Sequence, residues 1–210
     1  MGALTGFHPL LSVGLTTFTD VIGTDGLRMC QYFEKVEGSG KQLLNEVDFG
    51  PNDALLVITA TGTTIAAVDI ALEFSRQYPD LPLVALASAA QSQEAPAVHS
   101  SGLNLWHVIK NAKKGYFIDN GMPVGDLTVE VNGKTGNYKV CPLSSIGALS
   151  VAQSLNELTI KELDHRGIAH PVLRNMHLAN TTDNYDQWLR DQRKRFALAT
   201  NNPNAVKPTF

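Results

Sequence analysis

The stretch Asp53 to Phe74, DALLVITATGTTIAAVDIALEF, constrains the fold more than any other part of the chain. Ala54 to Ile58 is an unbroken apolar run, as expected of a strand buried on both faces of a parallel sheet. Thr59-Ala60-Thr61-Gly62-Thr63-Thr64 follows, with four hydroxyls and one glycine. Ile65, Val68, Ala71 or Leu72, and Ser75 then recur at a helical period and mark one face of a helix over 64–78. A strand, a hydroxyl-rich turn and a helix start suit an anion, because first-turn N–H groups lack partners and the dipole is positive there. Threonine hydroxyls can add hydrogen bonds. Phosphate is the commonest such anion in a cell, so one reading is a phosphate cradle. The other is that Thr63 or Thr64 caps the helix among ordinary strand-end threonines.

The rest of the chain alternates strand and helix, which predicts a parallel, layered α/β sheet. Phe7 to Val13 reads as an edge strand, since Pro9 removes a ladder donor. Helices are expected over 26–34 behind Asp25 and over 40–47 behind Ser39, and the turn 49–53 leads into a central strand. Leu83 to Ala87 is a second doubly buried strand, and 88–92 a second polar turn at a strand's C-terminal end. Tyr116 to Asp119 is a short strand. Leu127, Val129 and Val131 alternate with polar residues before Asn132-Gly133, and Tyr138 to Cys141 answers them, so a β-hairpin with a loop longer than two residues is expected. The longest helix runs from Ser145 to Arg166 and is closed by Gly167. Ile146, Leu149, Ala152, Leu155, Leu158 and Leu163 give it a face broad enough to need a subunit contact. Pro171 to Leu173 is extended. An amphipathic helix around Tyr185 to Phe196 carries a solvated basic run, and a loose tail ends the chain.

Composition removes several function classes. A formal net charge of -3 argues against a nucleic-acid partner. No apolar run nears the roughly 20 residues of a membrane span, and the start lacks a signal-peptide pattern, so a cytoplasmic protein without a membrane partner is expected. Cys30 and Cys141 stand far apart and form no zinc or disulfide pattern. The histidines lack metal-ligand spacing, and no Walker loop or GxGxxG is present, so neither a metal nor a cofactor is expected.

Thr59-x-Thr61-Gly62-x-Thr64 resembles the hydroxyl-rich loop of SIS (sugar isomerase) domains, and Ser88 matches their second phosphate-side serine. His99-Ser100-Ser101-Gly102, Ile118-Asp119-Asn120-Gly121-x-Pro123-x-Gly125-Asp126, Pro142-x-Ser144-Ser145 and Pro171-Val172 are similar to a bacterial SIS branch related to phosphoheptose isomerase. The likeness runs from about residue 7 to residue 196, a single domain over 1–196 with a flexible tail over 197–210. It implies a flavodoxin-like three-layer parallel sheet with a small β-hairpin. It implies a phosphosugar ligand at Thr59, Thr61, Gly62, Thr63 and Thr64, with Ser88, Ser144 and Ser145 beside it. It also implies a homodimer or higher homo-oligomer. The sequence departs from the family in its threonines, where serine is commoner, in Ala60, where asparagine is common, and in starting after the family's first strand–helix unit.

Aldose–ketose isomerisation needs a base to move a proton between neighbouring carbons. The candidates are His99, which matches a family histidine, and Glu94, which does not; for His99 a structural role holding a loop is the alternative. His107 reads as packing, and Asp119 and Asp126 as turn caps. Three functions stand open: a sugar-phosphate isomerase, a non-catalytic phosphosugar sensor, and an inactive fragment.

Overall fold

The computed structural model describes residues 31–168 and Arg190. These fall into two units, 31–45 with 49–148 and 46–48 with 149–168. The expected strand at 7–13, most of the helix at 26–34, the extended piece at 171–173, the helix at 185–196 and the tail lie outside the described residues.

The larger unit is α/β. Its elements are helix α1 (Ser39–Asn45), strand β1 (Leu55–Ile58), helix α2 (Ile65–Gln77), strand β2 (Leu83–Ala87), helices α3 (Ala89–Glu94) and α4 (Leu105–Asn111), and strand β3 (Gly115–Asp119). The three strands are parallel, in the order β1-β2-β3, with Leu55 opposite Leu83 and Leu83 opposite Gly115. β2, not β1, is therefore the middle strand among the described residues. Burial follows from that position. Four of the five β2 residues are buried. In β1 only Leu55 and Val57 are, while Ile58 is exposed, so the expected burial on both faces holds for β2 and not for β1.

The core lies between sheet and helices. α2 contributes Val68, Ala71 and Phe74, β2 contributes Leu83, Ala85 and Leu86, and α4 contributes Leu105, Val108 and Ile109, all but closed to water. The expected α2 face was a few tens of degrees out: Ala66 and Phe74 are buried where Ile65 and Ser75 are only half-buried. Phe74 accounts for the shift. Its ring packs with those of Phe49 and Tyr78 at centroid distances of 5.0 and 5.3 Å, and so orients the helix. α1 crosses α2 so closely that a Cβ on Gly40 would lie 2.7 Å from the Ile70 Cα.

β4 (Leu127–Gly133) and β5 (Gly136–Pro142) form the expected hairpin. Gly133 pairs with Gly136, so its loop is the two residues Lys134 and Thr135 and not a longer one. Helix α5 (Ser144–His165) begins in this unit and continues into the second. It ends as expected near Gly167, whose φ of 65° suits a left-handed stop, with Ile168 N–H donating to the Leu163 carbonyl. Among the described residues its apolar face is partly open: Leu149 and Leu158 are over 60% exposed, Ala152, Leu155 and Leu163 are half-buried, and of the helix only Asn156 is buried. No helix among the described residues is long and apolar enough to cross a membrane.

Truncating the residue that sets the α2 face should be costly. Phe74→Ala is expected to lower unfolding free energy by about 3–5 kcal/mol, read from the denaturant midpoint.

Candidate functional site

The loop between β1 and α2 is held by its carbonyl groups. The Ala60 carbonyl accepts from Ser88 N–H at 3.2 Å and from Asn120 Nδ2 at 3.1 Å. The Thr61 carbonyl accepts from Ser92 Oγ at 3.2 Å, and the Gly62 carbonyl from Leu105 N–H at 2.9 Å. Three consecutive acceptors are thereby turned into the protein by four residues from three segments. Gly62 is required here, since its φ is 72° and a Cβ would fall 1.7 Å from Ser92 Oγ.

Thr59 N–H donates to the Leu86 carbonyl and Thr63 N–H to Thr61 Oγ1, while donors nearer the helix are left over. N–H groups of Thr64, Ile65 and Ala67 have no hydrogen bond among the described residues, while Ala66 N–H donates to the Glu34 carbonyl at 3.1 Å. Thr64 is the N-cap residue of α2, yet its side chain caps nothing. Its Oγ1 lies 3.2 Å from Thr59 Oγ1, and Thr61 Oγ1 lies 2.8 Å from Thr63 Oγ1. The reading in which Thr64 serves as an ordinary helix cap is thus corrected. All four threonines are half-buried, and paired hydroxyls can re-aim toward an incoming acceptor.

The other expected ligands sit elsewhere in the network. Ser88 is buried; its Oγ donates to the Met122 carbonyl at 2.7 Å and accepts from Gln91 N–H at 3.2 Å. It is the N-cap of α3, so the expected polar turn at 88–92 is a helix: Ala89-Ala90-Gln91 are good helix formers behind a capping serine. Ser144 and Ser145 open α5, where Asp126 Oδ1 accepts from Leu143 N–H at 3.2 Å and from Ser144 N–H at 2.7 Å. The negative group at that helix start is the chain's own carboxylate. Asp119 likewise acts as a turn cap, accepting from Ala89 and Gly121 N–H at 3.0 Å each. Glu94 is exposed at the end of α3.

His99 is buried and both ring nitrogens face protein. Nδ1 accepts from Ser101 N–H at 3.0 Å and lies 2.8 Å from Ser101 Oγ. This network assigns the proton to Nε2, which points at Asp69 Oδ1 (3.6 Å) and Glu37 Oε2 (4.0 Å) without reaching either. The Ser101–His99–Asp69 order is that of a nucleophile relay. The N–H groups of Ser100, Ser101, Gly102 and Leu103 are all engaged, so none is left nearby to receive an oxyanion. Nor do the described residues group three side chains that could hold a metal ion.

The sequence did not single out Asp69 and Glu37, which complete this cluster. Asp69 Oδ2 accepts from Gly40 N–H at 2.6 Å, and Glu37 accepts from Ser100 N–H at 2.7 Å and from its hydroxyl. Those bonds hold the Glu37 carboxyl below the usual carboxylate range. Asn104 was missed as well: buried before α4, it donates to the Ser92 and Ala95 carbonyls, and an Asn before an apolar helix was the available signal. His107 is exposed and accepts from Asn104 N–H at 3.4 Å, so it does not pack in the core as expected; it closes the helix start.

No known protein-family profile matches the chain. It is similar to the UPF0309 protein ABC0887 of Shouchella clausii, 25% identical over 193 residues, which are 92% of this chain and 72% of that one. It is 29% identical over 147 residues to the UPF0309 protein lmo0025 of Listeria monocytogenes, covering 70% of this chain and 59% of that one. The UPF0309 protein BH3325 of Halalkalibacterium halodurans is 28% identical over 147 residues, 57% of its own length. The matched region is therefore less than two thirds of the latter two proteins.

Gly62→Ala must move Ser92 or the loop, and should cost about 1–3 kcal/mol in a urea melt. Glu37 titrates below its unfolded value, so its bond to Ser100 contributes stability above the unfolded carboxyl range and loses it as pH falls through the folded value. Ser100→Ala should raise the Glu37 titration seen by carboxyl carbon NMR back towards the ordinary range.

Proposed function

We propose that the chain binds a phosphorylated sugar, with the phosphate seated on the Thr59–Thr64 loop at the start of α2. The observation that carries this reading is the set of unbonded N–H groups at Thr64, Ile65 and Ala67, beside four half-buried threonine hydroxyls. The loop sits at the C-terminal end of a parallel strand, where open α/β sheets bind their ligands. A phosphate presents several acceptors and no obligatory donor, which complements a rim of donors whose carbonyls are turned away. The three-layer, flavodoxin-like architecture of a SIS domain is part of the same proposal, and the β1-β2-β3 order supports it.

One observation favours a second reading, aldose–ketose isomerisation. His99 Nε2 lies 3.6 Å from Asp69 Oδ1 and 4.0 Å from Glu37 Oε2, and an imidazole beside carboxylates is a common acid–base arrangement. Binding is the primary reading, because both nitrogens of His99 are turned into protein and the Glu94 side chain has no hydrogen bond or ion pair among the described residues.

Thermal unfolding with hexose and heptose phosphates separates the outcomes. At a hundred times Kd, binding contributes about 2.7 kcal/mol, so the midpoint should rise by roughly 5–10 °C, and free sugars should leave it unchanged. Thr61→Val should abolish the rise while leaving the circular dichroism spectrum intact. A panel of sugar phosphates that moves nothing contradicts the proposal. If isomerisation accompanies binding, His99→Asn should stop deuterium exchange at the sugar carbon next to the carbonyl and keep the thermal shift.

A further inference from the structure

We propose that Ser101 is a nucleophile that takes an acyl group from an activated acyl ester, with His99 as its general base. Ser101 is exposed, and its Oγ lies 2.8 Å from His99 Nδ1. Ser101 N–H also donates to Nδ1 at 3.0 Å, so this nitrogen carries the lone pair and not the proton, as a base toward the hydroxyl must. The ring is buried, with its Nε2 edge facing Asp69 Oδ1 at 3.6 Å and Glu37 Oε2 at 4.0 Å. Both carboxylates are fixed in turn. Asp69 Oδ2 accepts from Gly40 N–H at 2.6 Å, and Glu37 accepts from Ser100 N–H at 2.7 Å.

No other serine hydroxyl among the described residues is set against an imidazole. Those of Ser39, Ser75, Ser88, Ser92 and Ser154 donate to backbone carbonyls, and that of Ser100 to the Glu37 carboxylate. Leu103 N–H donates to Ser101 Oγ at 3.3 Å, so one donor already faces the charge that grows on this oxygen as its proton leaves.

The surroundings select the donor. The charged groups facing the ring are the carboxylates of Glu37 and Asp69, which repel a phosphate-bearing donor. A neutral acyl ester meets no such repulsion. In the step, Ser101 Oγ bonds to the acyl carbon while its proton passes to His99 Nδ1. The bond from that carbon to the leaving oxygen breaks, and its electron pair and the proton held by His99 depart with that oxygen. With the neighbouring N–H groups engaged, no hole receives the oxyanion, so only an ester with a good leaving group reacts. The product is a serine ester, whose own leaving group is poor, so water removes it slowly. Ser101 is thus a site of stable acylation and not of fast hydrolysis. This inference goes beyond the phosphosugar proposal and does not rest on it.

The full chain mixed with p-nitrophenyl acetate tests it. Nitrophenolate release should begin with a burst of about one equivalent per chain, and peptide mapping should place the acetyl group on Ser101. Ser101→Ala should remove the burst, and Ser154→Ala should leave it unchanged. His99→Asn should slow it about a hundredfold. In the unmodified protein the burst rate should rise with pH and share its midpoint with the His99 ring signals in proton–carbon NMR, a readout that a purely structural histidine would not move. No burst, an acetyl group found only at other residues, or a burst rate that His99→Asn leaves unchanged overturns the proposal. Should His99→Asn fail to fold, the shared midpoint decides, and separate midpoints overturn the proposal equally.

Discussion

The phosphosugar proposal for this chain depends on how three peptide carbonyls are tied down. Ala60, Thr61 and Gly62 give their acceptors to Ser88, Asn120, Ser92 and Leu105. A peptide plane with its carbonyl fixed inward cannot turn without breaking that bond. The tie therefore orders the turn that precedes α2, and the N–H groups of Thr64, Ile65 and Ala67 are left without partners among the described residues. Parallel pairing makes this possible. β1, β2 and β3 run the same way, so the loops leaving β1 and β2 and the Asp119–Asn120 corner after β3 meet at one edge. The sheet thus brings these loops together.

Two helix starts in the same unit show what such a tie leaves open. At α5 the chain supplies its own anion: Asp126 accepts from Leu143 and Ser144 N–H and closes the helix start. At α2 no side chain does so, because Thr64 turns to Thr59 instead. The difference separates the surroundings of the expected ligand groups. Ser144 lies where a carboxylate already sits, Ser88 is filled by Met122 and Gln91, and the threonine loop keeps its donors. His99 follows the same logic. Buried, with Nδ1 bound to Ser101 and Nε2 between Asp69 and Glu37, it joins the segment around residues 37–40 to α2 and to the 99–103 loop.

Much of this was legible in the sequence, because local rules dominated there. The apolar run Leu83–Ala87 gave β2 to the residue, and the threonine loop and the helix behind it were placed by period and residue type. Asp119 and Asp126 behaved as the turn caps their context suggested. What stayed hidden depends on contacts distant in sequence. Nothing local distinguishes a strand at the middle of a sheet from one at its edge, so Ile58 was expected to be buried and is not. The partnership of His99 with Asp69 and Glu37 spans 30 residues to the first and 62 to the second, beyond any periodicity. Ser88, which matches the second phosphate-side serine of the family the chain resembles, also caps α3, and a serine after a strand does not reveal that by itself. The hairpin's alternation was read correctly, yet only coordinates show that its apolar side meets water.

The central claim is that the start of α2 is an anion site. Amide proton–nitrogen NMR of the full chain, titrated with a hexose phosphate, tests it most directly. The account predicts that Thr64, Ile65 and Ala67 shift downfield and saturate together, with the Leu143 and Ser144 amides unmoved because Asp126 already holds them. If the α2 amides stay fixed, or move no more than those at α5, the account is contradicted.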